Sequence, residues 1–309
     1  SDLEKMVDTS DAWITQRTGI KERRIADPEM GSSDLGIQAS LRALENASIE
    51  PSQVDMVLVA TCTPDYLFPS TACLIQKGIK ADKAAALDVQ AACTGFIYAL
   101  SLAKSLVESG TYRYVLVVAA EKISSFVNYA DRNSCVLFGD GAGAALIGPE
   151  KSNSCTIGPV ILGADGEQSH LLMLQGGGSK NPASLQTIEN NMHYLNIDGK
   201  EVFKHAVRRM TAAAKQAIEA AGLKETDISW FVPHQANLRI IEALAKDFQI
   251  PEDRICLTIQ KYGNTSASSV AIALDELFRQ NKVEVGDVVL VAAFGAGFTW
   301  GAVAFRRTK

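Results

Sequence analysis

The sequence lacks clustered metal ligands, apolar runs of membrane length and an excess of positive charge. Its six cysteines include no Cys-x-x-Cys pair, and no pair of its four histidines accompanies them, so a zinc site is not expected. Apolar runs such as residues 288–294 are far shorter than the roughly 20 residues of a membrane helix. Thirty Lys and Arg against 35 Asp and Glu give a net charge of −5, whereas general nucleic-acid binders are more often basic. We therefore expect no metal, no membrane contact and no nucleic-acid partner.

No secretory signal is visible in the 309 residues either, which affects how the cysteines are interpreted. In a chain of this size without such a signal, reduced thiols in a cytoplasm are favoured over a disulfide framework. Apolar residues make up 47% and charged residues 21%, a composition typical of a globular protein with a large core. The cysteines are Cys62, Cys73, Cys93, Cys135, Cys155 and Cys256.

Short β-branched apolar runs alternate with helical patterns in two similar halves of the chain. The runs that predict buried strands are residues 55–60, 114–120 and 141–148, then 228–232, 288–294 and 301–306. Apolar patterns at residues 93–108 and 265–280 predict a buried helix in each half. This alternation indicates largely parallel sheets covered by helices. We predict two pseudo-repeated halves, 1–150 and 151–309, stacked as an α/β/α/β/α sandwich of the α/β class.

A polar region at residues 166–190 interrupts this pattern. It contains Gly176, Gly177 and Gly178 in succession, followed by Pro182. A long connection of this kind is either a binding loop or a plain mobile loop, and the residues alone do not separate the two.

Cys93 is the candidate nucleophile among the cysteines. It follows a predicted strand and begins a predicted apolar helix, so its sulfur is expected at a helix N-terminus. Unpaired backbone amides there favour an anion and are expected to lower the pKa of the thiol. Small neighbours, Ala91, Ala92 and Gly95, leave room for a substrate. The alternative is an ordinary buried core cysteine.

His234 and Asn264 are candidate hydrogen-bond donors. His234 directly follows a predicted strand, and ligands bind at strand ends in open α/β sheets. A neutral imidazole there can donate to a developing oxyanion or relay a proton, although a half-buried structural histidine is the alternative. Asn264 precedes a predicted helix, where it is either a helix cap or an amide donor to an oxyanion.

Two glycine-containing runs resemble ligand-binding loops. Residues 139–144 superficially match a dinucleotide fingerprint, but they lie between a polar loop and a strand instead of between a strand and a helix. Nucleotide-redox chemistry is therefore not expected. Residues 294–298 follow a buried strand, where small residues permit either an oxyanion hole or simply a tight turn.

Six motifs span nearly the whole chain. They are DAWITQRTGIKER at 11–23, AACTG at 91–95, FGDGAGA at 138–144, VPHQANLRII at 232–241, GNTS at 263–266 and FGAGFTWG at 294–301. Together they resemble the β-ketoacyl-acyl carrier protein synthase III family, the thiolase-superfamily enzymes that begin bacterial type II fatty acid synthesis. Elongating relatives have a second histidine where this chain has the Asn of GNTS. The resemblance implies the thiolase-like five-layer fold.

The resemblance also implies a mechanism that needs no cofactor, since acyl-CoA is a substrate of the reaction. Cys93 takes an acyl group from acyl-CoA, and malonyl-acyl carrier protein then loses CO2 and attacks the acyl group. His234 and Asn264 stabilise the enolate oxygen formed in that step. The backbone amides of Cys93 and Ala296 form the oxyanion hole for acyl transfer, with Ala296 at a position where the family commonly has Gly.

Further site residues are implied by their match to the family. The residues matching the coenzyme A site are Trp13, Arg17, Arg132, Phe203, Ala236 and Asn237. Phe68 and Phe294 match the acyl pocket, and Phe68 matches a residue that reaches across a dimer, so a homodimer is implied.

A basic surface is expected to steer the acidic carrier protein. Lys204, Arg239 and Lys246 match carrier contacts of the family, whereas Asp247 stands where some members have a second lysine. From the residues alone, a solvated basic face is the alternative.

Before the first motif, family members normally have a strand and turn of about 20 residues. Either that segment precedes Ser1 in the full protein or the strand is absent, and only in the second case do we expect an empty central position in the first sheet and poor stability.

Two other functions stay open at this point. A related ketosynthase or acyltransferase could use the same three residues to make a polyketide or an ester. A non-catalytic acyl-CoA-binding protein would need only the coenzyme A contacts. A Cys-His-Asn hydrolase fits less well, because the apolar helix after Cys93 is more typical of a thioester channel.

Overall fold

Two mixed sheets form the framework in the computed structural model, which describes residues 2–149 and 154–309. The first sheet has the order β2-β1-β3-β4 and consists of β1 (Met56–Ala60), β2 (Ala85–Val89), β3 (Val115–Glu121) and β4 (Gly141–Ile147). A small hairpin is formed by β6 (Leu172–Leu174) and β7 (Leu195–Ile197). The second sheet has the order β5-β10-β9-β8 and consists of β5 (Cys155–Ala164), β8 (Trp230–Pro233), β9 (Val288–Gly295) and β10 (Thr299–Arg307).

Helices cover the outer faces of both sheets and fill the space between them. They are α1 (Asp11–Thr18), α2 (Ser32–Ala47), α3 (Thr71–Gly78), α4 (Gly95–Glu108), α5 (Arg132–Cys135), α6 (Leu185–Glu189), α7 (Gly199–Ala220), α8 (Leu238–Phe248), α9 (Ile259–Tyr262) and α10 (Ser268–Arg279). Helices α2 and α3 pack on the first sheet, α4 and α10 lie between the sheets, and α7, with α8 beside it, packs on the second sheet. The predicted five-layer α/β arrangement is confirmed.

The central layer is apolar because both of its helices face a sheet on each side. In α4, Phe96, Ile97 and Leu100 are buried, and each such side chain stabilises the fold by about 1.5–3 kcal/mol. Gly95 lets the start of this helix approach β1, since a Cβ at this position would lie only 3.0 Å from the Ala60 Cβ. The helix can therefore begin directly against the sheet, which fixes the position of the turn that precedes it.

The strand directions differ from the expectation of largely parallel sheets. In the first sheet β1 is parallel to β2 and β3, but β4 is antiparallel to β3. In the second sheet only β8 and β9 are parallel, while β10 is antiparallel to both β9 and β5. The expectation is therefore wrong for the second sheet. The connection between β9 and β10 has only three residues, which accounts for their antiparallel pairing, since a parallel crossover needs a dozen or more residues.

The two sheets correspond strand by strand. Strands β1, β3 and β4 have the same order and directions as β8, β9 and β10, and the counterpart of β2 is reduced to a single bridge between Phe231 and Ile255. The described strands of the first sheet pair without an interruption, so the expected empty central position is not observed. The predicted boundary between residues 150 and 151 lies outside the described residues.

Candidate active site

One cavity of about 1000 Å3 opens where the two sheets meet, and most of the predicted site residues line it. Those that do are Cys93, Phe203, His234, Ala236, Asn237, Asn264, Phe294 and Ala296. The polar region at residues 166–190 also contributes to the wall, with β6 and the glycines that follow it. Residues of this region therefore form one wall of the cavity, as expected for a binding loop. Phe68 is not among the lining residues and is 86% exposed.

Cys93 lies in a short 3-10 turn, Ala92–Thr94, which leads from β2 into α4. Ala92 has a φ of 46°, a left-handed conformation that costs about 1–3 kcal/mol for a residue with a side chain. The Thr299 hydroxyl donates to the Ala91 carbonyl oxygen at 3.0 Å and thereby ties this turn to β10. The strained turn is therefore held from the second half of the chain.

The electrostatics of Cys93 differ from the sequence prediction. Burial raises the pKa of the thiol to about 12, and the nearby Glu121 charge also raises it, whereas a hydrogen bond with Ser266 lowers it. The predicted lowering is wrong because α4 proper begins at Gly95, two residues beyond the sulfur, and because burial outweighs the remaining dipole. The thiol is protonated at neutral pH and must lose its proton before it can react.

Asn264 is held by residues of the first half of the chain. Its backbone N–H donates to the Leu137 carbonyl at 2.9 Å, and its own carbonyl accepts from the Gly139 N–H at 3.0 Å. Its side-chain Oδ1 accepts from the Ser266 N–H at 2.9 Å. Because the oxygen is occupied, the amide Nδ2, which has no partner within the described residues, is the group available to a ligand.

His234 follows β8 and is almost completely buried. Its Nδ1 lies 2.6 Å from the Ser269 hydroxyl, which also accepts from the Gln235 N–H at 3.3 Å. No other acceptor for the Ser269 proton occurs among residues 2–149 and 154–309, so this proton goes to Nδ1 and His234 carries its own proton on Nε2. Burial lowers the pKa of the imidazole to about 4. The ring is therefore neutral at pH 7 and presents an N–H donor.

Residues 264–269 organise the site. Ser266 lies 3.4 Å (Oγ) from the Cys93 sulfur, its N–H holds Asn264, and Ser269 orients His234. Ser266 has a φ of 52°, a second strained position next to the nucleophile. Sequence reasoning identified Asn264 in this run but not the two serines. The sequence signal that could have identified the two serines is the run of hydroxyl residues at the start of an otherwise apolar helix.

The predicted coenzyme A contacts Trp13, Arg17 and Arg132 cluster outside the cavity lining. The two guanidinium carbons lie 5.4 Å and 4.9 Å from the Trp13 ring centroid, for Arg17 and Arg132 respectively. Arg132 also donates to the Asp8 carbonyl at 2.9 Å. Because Arg132 covers the indole directly, a flat base can enter between them only if Arg132 moves. Asn237 connects this cluster with the cavity, since it caps α8 and contacts the Arg17 carbonyl.

The predicted basic surface is exposed on two neighbouring helices. Lys204 on α7 pairs with Glu201 at 2.7 Å, and Arg239 and Lys246 lie on α8 with exposed side chains. On α7, Arg208 is near His205 and Lys215 pairs with Glu225. Part of the positive charge is therefore neutralised locally.

Two features are absent from the part of the chain that the structure describes. No three His, Cys, Asp or Glu side chains there are grouped so that they could bind a metal ion. None of the described helices has the length and hydropathy needed to cross a membrane.

Comparisons with known proteins identify the family. Family models for 3-oxoacyl-[acyl-carrier-protein] synthase III match residues 87–166, and for its C-terminal part residues 218–307. The β-ketoacyl-[acyl-carrier-protein] synthase III of Chlamydia muridarum is 56% identical over 303 residues, covering 98% of this chain and 93% of that protein.

Solved structures of related enzymes have the same fold as this chain. The 3-oxoacyl-[acyl-carrier-protein] synthase III of Aquifex aeolicus superimposes with a TM-score of 0.91 at 46% identity, covering 99% of this chain and 94% of that chain. The priming β-ketosynthase of the R1128 polyketide pathway has a TM-score of 0.91 at 40% identity, covering 100% and 91%. By sequence and fold, the chain belongs to the β-ketoacyl-[acyl-carrier-protein] synthase III family of acyltransferases.

Proposed function

We propose that this chain condenses an acyl-CoA primer, acetyl-CoA in the first instance, with malonyl-acyl carrier protein. The products are 3-ketoacyl-acyl carrier protein, CO2 and free CoA, and the reaction begins fatty acid synthesis. One observation carries the proposal: the Cys93 thiol shares a cavity with a neutral His234 and with the amide of Asn264. A nucleophile beside two neutral N–H donors is what a decarboxylative condensation requires.

In the first half-reaction, the Cys93 thiolate attacks the thioester carbonyl of acyl-CoA. The backbone amides of Cys93 and Ala296 donate to the oxyanion of the tetrahedral intermediate, which then expels the CoA thiolate. The close packing of Gly295 on the Cys93 backbone nitrogen supports this assignment, since it brings both amides to one end of the cavity.

In the second half-reaction, malonyl-acyl carrier protein loses CO2 and leaves an enolate. His234 Nε2–H and Asn264 Nδ2–H stabilise the enolate oxygen, and loss of one such donor costs about 10²–10³ in rate. The enolate carbon attacks the acyl-Cys93 carbonyl, and collapse of that intermediate regenerates the Cys93 thiolate. A neutral imidazole suits this role because it has no proton of low pKa to give to the carbanion.

The proposal extends to binding partners. Trp13, Arg17 and Arg132 hold the nucleotide end of CoA, while Phe203, Ala236 and Asn237 contact its pantetheine arm. Phe294 and the Phe68 of a second copy close the acyl pocket, so the working unit is a homodimer. Lys204, Arg239 and Lys246 receive the acidic carrier protein. The six cysteines of this chain are free, as is usual where thiols stay reduced, and we assign the enzyme to the cytoplasm.

The first test is the mass of the protein after incubation with acetyl-CoA. We expect the addition of one acetyl group on Cys93 and none in Cys93→Ala, followed by condensation when malonyl-acyl carrier protein is added. Full condensation by Cys93→Ala would overturn the proposal. Binding of acyl-CoA without acylation, for acetyl and longer chains alike, would instead indicate a binding protein.

A second candidate is a priming ketosynthase of polyketide synthesis, favoured by the R1128 enzyme at 40% identity. The acceptor substrate separates the two. Turnover with malonyl-CoA and none with malonyl-acyl carrier protein would favour a ketosynthase or acyltransferase of secondary metabolism.

A further inference from the structure

Glu121 is a buried carboxylate for which the proposed reaction has no use. It ends β3 with none of its surface exposed, and no Lys or Arg pairs with it within the described residues. Burying a carboxylate lowers the free energy of unfolding unless hydrogen bonds compensate for the lost hydration. Burial raises its pKa, while hydrogen bonds with Thr63, Cys62 and Ser266 lower it. Such a group is kept at a cost in stability, and its position next to the nucleophile indicates why.

The two oxygens of Glu121 have different environments. Oε2 accepts from the Thr61 hydroxyl at 3.2 Å, from the Cys62 N–H at 3.0 Å, and from the N–H and hydroxyl of Thr63 at 3.2 Å and 2.8 Å. The Cys62 thiol lies 3.3 Å from Oε1 and 3.5 Å from Oε2, and the Ser266 hydroxyl also interacts with the carboxylate. Oε2 is therefore saturated with donors, and Oε1 is the oxygen that can take up a proton.

A line of polar atoms connects Oε1 with the nucleophile. The Cys62 sulfur lies 3.6 Å from the Ser266 hydroxyl oxygen, and that oxygen lies 3.4 Å from the Cys93 sulfur. Each atom in this line, from Cys93 through Ser266 and Cys62 to Glu121, can exchange a proton with the next. Cys62 and Ser266 also line the cavity, so the line remains in reach of the bound substrate.

The nucleophile needs a proton acceptor that His234 does not supply. The Cys93 thiol is protonated at neutral pH, because burial raises its pKa to about 12. His234 has its Nδ1 occupied by the Ser269 hydroxyl and presents an N–H to the cavity, so its free nitrogen has no lone pair for a proton.

We propose that Glu121 is the acceptor of the Cys93 proton, by way of Ser266 and Cys62. The Cys93 S–H bond breaks as its proton passes to the Ser266 oxygen. The Ser266 proton passes to the Cys62 sulfur, and the Cys62 proton passes to Glu121 Oε1. The result is a Cys93 thiolate and a neutral Glu121. When the CoA thiolate leaves, it takes a proton from Ser266, and the transfers reverse to restore the Glu121 carboxylate.

The charges favour this route because the transfer moves a negative charge and creates none. Making a thiolate with hydroxide would add a second buried anion beside Glu121, which is costly. The described titratable groups facing Glu121 are Cys62 and Cys93, and the residue opposite on β4 is Gly141. The neighbouring Lys122 directs its Nζ away, to the carbonyls of residues 27, 28 and 30.

The test is the pH dependence of Cys93 alkylation by iodoacetamide, followed on the Cys93 peptide by mass spectrometry. Transfer to Glu121 consumes no hydroxide, so the wild-type rate should be nearly constant between pH 7 and 9. In Glu121→Gln the rate should rise about tenfold per pH unit and be at least tenfold slower at pH 7. If Glu121 is only a neighbouring negative charge, its removal lowers the Cys93 pKa and alkylation becomes faster.

Variants of Cys62 test the connection independently, should Glu121→Gln fail to fold. Cys62→Ala removes the middle group of the line and leaves only the Ser266 interaction with Glu121, so alkylation at pH 7 should be slower and more pH-dependent than in the wild type. Cys62→Ser keeps a hydroxyl that can pass a proton and should stay near the wild-type rate. Cys73→Ala, which removes an exposed thiol, is the matched control and should change nothing.

This inference rests on Cys93 being the nucleophile, and its failure is distinguishable from failure of the proposed function. Absence of acetylation of wild-type Cys93 would remove the proposed function. Normal acetylation, with wild-type alkylation profiles in both Glu121→Gln and Cys62→Ala, would leave that function intact and overturn the role of Glu121.

Discussion

Gly295, at the end of β9, is the position where one added methyl group should disturb the nucleophile most. A Cβ there would lie 2.7 Å from the Cys93 backbone nitrogen, 3.2 Å from that of Thr94 and 3.3 Å from the Ala92 Cβ. The first contact is shorter than an ordinary 3.4 Å contact by about 0.7 Å, and its partner is backbone that cannot rotate away. The strained turn that carries Cys93 must therefore move.

The expected result follows from the size of that movement. Misplacing a reacting group by about 1 Å can cost about 10²-fold in rate, so Gly295→Ala should slow acetylation of Cys93 by about 10- to 100-fold. Overpacking should also lower the free energy of unfolding by about 1–3 kcal/mol. The first effect is measured by the time course of intact mass with acetyl-CoA, the second by urea unfolding.

Gly166→Ala is the matched control, because a Cβ at Gly166 would meet no atom within 4 Å. It should leave both quantities unchanged. If Gly295→Ala is acetylated at the wild-type rate with unchanged stability, β9 and the Cys93 turn are not packed as rigidly as the distances indicate, and the reasoning is refuted.

Three further predictions concern buried polar groups. Ser269→Ala should free His234 to change tautomer and slow decarboxylation at least tenfold while Cys93 acetylation continues, and equal effects on both half-reactions would contradict it. The pKa of His234 falls from 6.5 unfolded to about 4 folded, so the unfolded state binds more protons below pH 6.5 and stability decreases as the pH falls. Between pH 7 and 5 the wild type should lose about 2 kcal/mol more than His234→Gln in urea unfolding, and parallel curves would refute the buried neutral ring. Asp140 accepts from the N–H groups of Ala26 and Ser124 and from the Ser124 hydroxyl, so Asp140→Ala should destabilise by about 2–4 kcal/mol in the same assay. A loss below about 0.5 kcal/mol, as at an ordinary surface position, would show that these donors find other partners.

The sequence alone predicted most strands of the two sheets, the two central helices, the layered class and the family, but it missed β5, β6 and β7. The comparisons confirm the family. The strands and helices follow from local patterns, because the periodicity of apolar residues decides whether a segment can bury one face or both. It also predicted Cys93, His234 and Asn264, since each ends or begins an element at a point where small or polar residues replace the apolar pattern. Their roles stay predictions.

The tertiary structure decided what depends on distance through space. Burial is the largest cause of the raised Cys93 pKa, and a serine 35 residues away from His234 determines which ring nitrogen carries the proton. Glu121 comes near Cys93 only because β1 and β3 are adjacent, and Ser266 only because the second half of the chain packs on the first. Local patterns do not encode such contacts, because desolvation and hydrogen bonding depend on neighbours that are remote along the chain.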